Sequence, residues 1–255
     1  MSKDLQKSNK KNLKNSAKGK LDLSTFNMQK FAQVMAVTEL PRLYYQLVVF
    51  VLDASESMTW MGVSGKSKGE EVHDQIIPII ERLRNSKNEN SFDISMYAFS
   101  QEHKEFLPNT SPKKIDFNGL SFNPCDHVGN YQTYAEPVFL EVENKIEMYL
   151  DKYKNKNTQA MIVFLGDGDI YDYPEVIEIC ERIKKNNKTT ILSYLLEDKK
   201  WKKSLSDYKL NTLKTNIKNM SSKDSNGLSF FDSQVDPEEI RKHMIKSIST
   251  VSKID

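Results

Sequence analysis

The sequence is poor in features that exported or membrane-bound proteins need. Its two cysteines, Cys125 and Cys180, cannot make a disulfide framework and are expected to be reduced thiols. No secretory signal is visible, because no apolar stretch follows the N-terminal lysines. The longest apolar run, Leu47–Leu52, is far short of the ~20 residues that a membrane span requires. These absences point to a cytoplasmic protein. The four histidines, His73, His103, His127 and His243, are scattered without ligand spacing, and surface or packing roles are expected. From about residue 30 onward there is no Pro/Gly/Ser linker and no internal repeat. The hydrophobic share of 38% is low, yet enough for a core at 255 residues.

Part of that low share lies at the start. Residues 1–20 hold seven lysines against one acid, Asp4, a net charge of about +6. The whole chain carries +2, so the remainder is near −4. Such a polar segment buries too little surface to offset its ordering entropy. Residues 1–29 are therefore expected to be a disordered basic extension, and residues 30–255 a single domain.

Within that domain, strand-like and helix-like patterns alternate. Gln46–Leu52 and Ala160–Leu165 are continuous apolar runs, as expected of strands covered on both faces. Residues 92–99 alternate like a half-buried strand. Residues 115–122 suggest a short edge strand, Thr189–Leu196 a further strand and Leu228–Phe231 a last short one. Helical stripes run over 69–85, 135–152, 173–186 and 202–220. Pro78 should kink or shift the first of these. Asp236-Pro237-Glu238-Glu239 is a strong helix start, and Ile240, Met244, Ile248 and Val251 continue the stripe. The sum is a three-layer, Rossmann-like α/β sandwich, with a mostly parallel central sheet and helices on both faces. In such folds ligands sit beyond the carboxyl ends of the central strands.

Two apolar strands deliver acids to that edge. Asp53-Ala54-Ser55-Glu56-Ser57 follows Leu52, and Gly166-Asp167-Gly168-Asp169-Ile170-Tyr171-Asp172 follows Leu165. A third loop, Gly129-Asn130-Tyr131-Gln132-Thr133, offers another hydroxyl before a helix. One acid with two hydroxyls suits a nucleophile with helpers, a turn, or half of a metal site. Together the three segments supply hard oxygens, which suit Mg²⁺, Ca²⁺ or Mn²⁺ and not zinc.

Asp53-x-Ser55-x-Ser57, Thr133 and Asp167-Gly168-x-x-x-Asp172, in this order and each at a strand or helix boundary, resemble a von Willebrand factor type A (VWA) domain. They resemble its metal-ion-dependent adhesion site (MIDAS), and the likeness covers roughly residues 40–252. It implies hydroxyl ligands Ser55, Ser57 and Thr133, with Asp53 and Asp167 as outer carboxylates. It also implies Mg²⁺, or Mn²⁺ or Ca²⁺. Neutral hydroxyls leave the ion's charge poorly compensated, so a Glu or Asp of a protein partner would take the remaining position. Two details depart from the common pattern. Gly129 stands alone before the threonine, and Asp169 is an extra acid that either joins the ion or faces water. The chain is also similar to stand-alone bacterial members of the tellurium-resistance (TerY-like) type. The shared features are Pro41-Arg42-Leu43 before the first strand and the Phe230-Phe231 and Lys246–Ser252 endings. That likeness implies a stress or defence adaptor with protein kinase or phosphatase partners.

Other readings fare worse. Gly62–Ser67 looks like a phosphate loop, but the required glycine five positions before Gly65 is Trp60. A flexible loop beside the crevice is expected there. A phosphohydrolase using Asp53 would need a second acid two residues on, and Ser55 stands there. Cys125-Asp126-His127 reads as an ordinary loop, because sequence neighbours rarely converge as nucleophile and base. Asp172 with Glu175 three residues on reads as a helix cap. The basic tail could attract nucleic acid, but it lacks interleaved aromatics. The expected role is binding, not catalysis.

Overall fold

A computed structural model describes Arg42 and residues 44–168, 170–197 and 206–252. The expectations for residues 1–29, for Asp169 and for the start of the 202–220 helix lie outside the described residues.

Strand β1 (Tyr45–Asp53) runs through the centre. Val48, Phe50 and Leu52 enter one core, and Leu47, Val49 and Val51 enter the other. Side chains alternate across a strand, so a strand covered on both faces must be apolar at every step. β2 (Phe92–Phe99) and β4 (Thr158–Gly166) flank β1 in parallel. β5 (Thr189–Leu196) and β6 (Phe231–Gln234) continue in parallel beyond β4. β3 (His103–Thr110) is antiparallel to β2 at the other edge, giving the order β3-β2-β1-β4-β5-β6.

Helices α1 (Lys68–Arg84) and α5 (Pro237–Ser252) cover the first core. α2 (Glu136–Lys152), α3 (Tyr173–Lys184) and α4 (Asp207–Met220) cover the second. This is the expected three-layer α/β sandwich. Among the described residues, no helix is long and apolar enough to cross a membrane.

α1 runs as one helix through Pro78. Three local expectations need correction. β2 is buried along its whole length, not half-buried. Two of its polar residues find partners: Asp93 pairs with Arg42 at 2.7 Å and accepts from the Tyr149 hydroxyl at 2.8 Å, and Ser95 donates to Glu105 at 2.7 Å. The edge strand is 103–110, while 115–122 is turn and loop between two 3₁₀ turns. Ile115 and Phe122 are buried there as anchors of a loop. The Arg84 side chain bonds the Pro112 and Ile115 carbonyls and lies over the Phe117 ring. Pro108 sits in β3, where an edge position tolerates a missing N–H. Finally, the last strand starts at Phe231, not Leu228, because residues 224–227 form a turn closed by the Lys223–Ser229 bridge.

Candidate metal centre at the carboxyl edge of the sheet

After β1 the chain builds β2 on one side and later places β4 on the other. The carboxyl ends of β1 and β4 therefore meet at the switch in strand order, where open α/β sheets form their crevice. Asp53 is the last residue of β1, and Asp167 follows the end of β4. Both are buried. Gly166 permits this closeness, since a Cβ there would lie 3.2 Å from Asp53 Oδ2.

Asp53 Oδ1 accepts the Ser55 N–H at 2.8 Å, a local turn that aspartate favours. A 3₁₀ turn, Glu56–Thr59, begins there and brings the two serine hydroxyls within 3.1 Å of each other. Ser57 Oγ then donates to Asp167 Oδ1 at 2.6 Å. The Thr133 loop is pinned by backbone bonds. Tyr134 N–H donates to the Ser100 carbonyl, Tyr171 N–H to the Thr133 carbonyl, and Glu56 N–H to the Tyr131 carbonyl. Ser55, Ser57 and Thr133 line one cleft of about 550 Å³, with Trp60, Gln101, Tyr131, Tyr171 and Lys209 around it. Asp53 and Asp167 lie beneath, outside the lining. Four of the predicted residues are thus linked by hydrogen bonds, the fifth shares their cleft, and Asp169 is outside the described residues.

Burial, and then the Asp167 charge, push the Asp53 carboxyl up to about 7. Two buried carboxylates beside each other favour any cation that can reach them.

One such cation belongs to the chain. Lys68 Nζ donates to Asp167 Oδ2 at 2.5 Å, with the two side chains 3% and 0% exposed. Sequence reasoning missed this lysine. The only signal was a positive charge in a helix first turn, where acids are favoured.

Three further expectations meet their surroundings. Asp172 does cap a helix, but not its own: its carboxylate accepts the Ala135 and Glu136 N–H groups at the start of α2. The 62–67 loop is held in place. Met61 bridges Ser67, Gly62 N–H bonds the Lys66 carbonyl, and the buried Glu71 accepts from Ser64 N–H at 2.6 Å. Cys125 and His127 serve separate ends. Burial pushes the Cys125 thiol up to about 12, while the His127 ring stacks on Phe106 and bonds the Ser121 carbonyl.

The donor set fits a hard divalent ion: three hydroxyls in front and two carboxylates behind. Among the described residues, no three His, Cys, Asp or Glu side chains converge, so hydroxyls and water would have to supply most of the coordination.

No family model matches the sequence, and no curated protein matches it. Solved structures do. The SpRpn10 VWA domain superposes with a TM-score of 0.51 at 14% identity, covering 78% of this chain and 94% of that one. The fold is the VWA fold. The same VWA fold aligns with part of the pilus adhesin SpaC from Lactobacillus rhamnosus GG, at a TM-score of 0.62 and 9% identity. That match covers 84% of this chain and 31% of the adhesin. It aligns also with proximal thread matrix protein 1 from the mussel byssus, in a form with a zinc-occupied MIDAS motif. There the TM-score is 0.55 and the identity 12%, over 85% of this chain and 48% of that one. The chain therefore spans less than half of either larger protein. Asp53, Ser55, Ser57, Thr133 and Asp167 lie at the carboxyl edge of its VWA sheet.

Proposed function

We propose that this VWA domain is a divalent-metal-dependent protein-interaction module. Ser55, Ser57 and Thr133 would hold the ion, with Asp53 and Asp167 behind them, at a MIDAS-type site. The observation that carries this reading is the convergence of three hydroxyls and two buried carboxylates from three separate loops at one strand edge. When bound, the ion supplies an electrophilic socket for a carboxylate. Mg²⁺ is the expected ion, with Mn²⁺ and Ca²⁺ as alternatives. The zinc-occupied MIDAS motif of the thread matrix protein supports divalent binding in this fold.

The partner would be a protein presenting a Glu or Asp. The exposed rings of Trp60, Tyr131 and Tyr171 around the cleft suit that role, since aromatics are enriched where proteins dock. The role is binding rather than catalysis: Asp53 lies beneath the cleft lining, and the Cys125 thiol is held in its neutral form. The likeness to the tellurium-resistance (TerY-like) type extends the proposal to a cytoplasmic stress or defence adaptor working with a protein kinase or phosphatase.

The test is capture of partners from a cell extract with Mg²⁺ and with EDTA, using wild type and Asp53→Ala, alongside calorimetry with Mn²⁺. The reading expects the same bound proteins to be lost in EDTA and in Asp53→Ala, and Mn²⁺ affinity to vanish in the variant. Capture that ignores both changes, or unchanged Mn²⁺ affinity in Asp53→Ala, overturns it.

A further inference from the structure

A lysine is the wrong residue for the place Lys68 occupies, on two counts. It opens α1, where Ser67 caps the helix, its Oγ accepting Glu70 N–H while Glu70 returns to Ser67 N–H at 2.8 Å. The start of a helix carries partial positive charge, so a cation there is disfavoured. The residue is also only 2% exposed, and an ammonium taken out of water is costly without a partner.

The surroundings nevertheless fix it there. Gly69 brings the first turn of α1 against the Asn123–Cys125 turn. A Cβ on Gly69 would stand 2.2 Å from Asn123 Oδ1 and 3.0 Å from Cys125 Sγ. Lys68 N–H bonds the Trp60 carbonyl at 3.0 Å, closing the loop that Glu71 braces from below. The Trp60 ring centre lies 5.8 Å from Nζ, within range of a cation–π contact. These contacts bring the ammonium to Asp167 Oδ2, while Ser57 takes Oδ1. One carboxylate thus serves both a hydroxyl of the metal centre and an internal cation.

We propose that Lys68 is a tethered counter-ion of Asp167, which holds the crevice together without metal and competes with a divalent ion for that carboxylate. It thereby sets the metal affinity of the site. The inference rests on the reading that the crevice takes a divalent ion. An ammonium beside the ion position repels a second cation, and the charge it neutralises is no longer offered to the ion. Removing the ammonium exposes that charge.

The experiment compares wild type with Lys68→Met and Lys68→Gln. Mn²⁺ affinity is measured by calorimetry, and melting temperature in EDTA and in excess Mn²⁺. Both variants are expected to bind Mn²⁺ at least tenfold more tightly than wild type. They are expected to melt lower than wild type in EDTA and to gain more from excess Mn²⁺ than wild type does. If wild type binds Mn²⁺ and the variants bind equally or more weakly, the counter-ion proposal fails while the metal reading stands. If only the variants bind, the proposal holds and metal-dependent docking by wild type fails. If none binds, both fail. Failure of both variants to fold at any Mn²⁺ concentration also overturns the proposal, because the ion then does not replace the ammonium.

Discussion

Ser57 Oγ donates a 2.6 Å hydrogen bond to Asp167 Oδ1 across 110 positions of sequence. The bond ties the loop after β1 to the loop after β4, and it joins a hydroxyl to a fully buried carboxylate. Ser57→Ala should therefore weaken both the fold and the site. A hydrogen bond to a charged group is worth roughly 1–3 kcal/mol. Urea unfolding in EDTA should show a loss in that range, and calorimetry a reduced Mn²⁺ affinity. Wild-type behaviour in both measurements would mean that the bond couples nothing.

Gly69 tests how closely α1 must approach its neighbour. Alanine in a helix interior usually gains up to ~1 kcal/mol over glycine. Here the added methyl meets Asn123 Oδ1 at 2.2 Å, and overpacking costs about 1–3 kcal/mol. The clash should win, so Gly69→Ala is expected to destabilise. A melting temperature above wild type would show that Asn123 simply moves aside.

Asp172 caps α2 from outside that helix, through Ala135 N–H at 2.9 Å and Glu136 N–H at 2.7 Å. Its carboxylate satisfies two donors just after Thr133. Asp172→Ala should cost about 1–2 kcal/mol, the usual loss of a helix cap. Hydrogen exchange should quicken at the start of α2 and not at the start of α3. Exchange confined to α3 would return Asp172 to its own helix.

Both thiols are predicted to be unreactive. Burial pushes Cys125 up to about 12, helped by the nearby Asp53 and Asp126 charges, and pushes Cys180 up to about 12 against the opposing Lys184 charge, helped by Glu181 and Glu143. Only the thiolate attacks an alkylating reagent, so a raised pKa slows the reaction at any pH below it. At pH 8, iodoacetamide should label the folded protein roughly tenfold or more slowly than the urea-unfolded chain. The folded rate should climb as pH rises. Equal rates for the two states would remove the neutral-thiol argument against catalysis.

Much of the fold was legible because its signals are local. A strand buried on both faces is apolar at every step, and β1, β4 and β5 were found close to their observed bounds. Helical stripes located α1 to α5 in the same way. β3 was missed, because an edge strand with Pro108 carries neither an apolar run nor strict alternation. Ile115 and Phe122 misled in the opposite sense, since burial at isolated points of a loop imitates a strand. The nearness of Asp53 and Asp167 was legible because each stands at the end of a central strand, where sequence position nearly equals spatial position.

By itself, the sequence determined the layers, the central strands and which residues stand at the carboxyl edge. Those follow from periodicity, which each segment carries without reference to the others. The tertiary structure alone decided who meets Asp167. Ser57 arrives through a 3₁₀ turn, and Lys68 because a bare Gly69 lets α1 dock closely. It likewise gave Asp172 to the helix next door. Charge partners are chosen by how elements pack, and a lysine in a helix first turn does not by itself say which carboxylate it will meet.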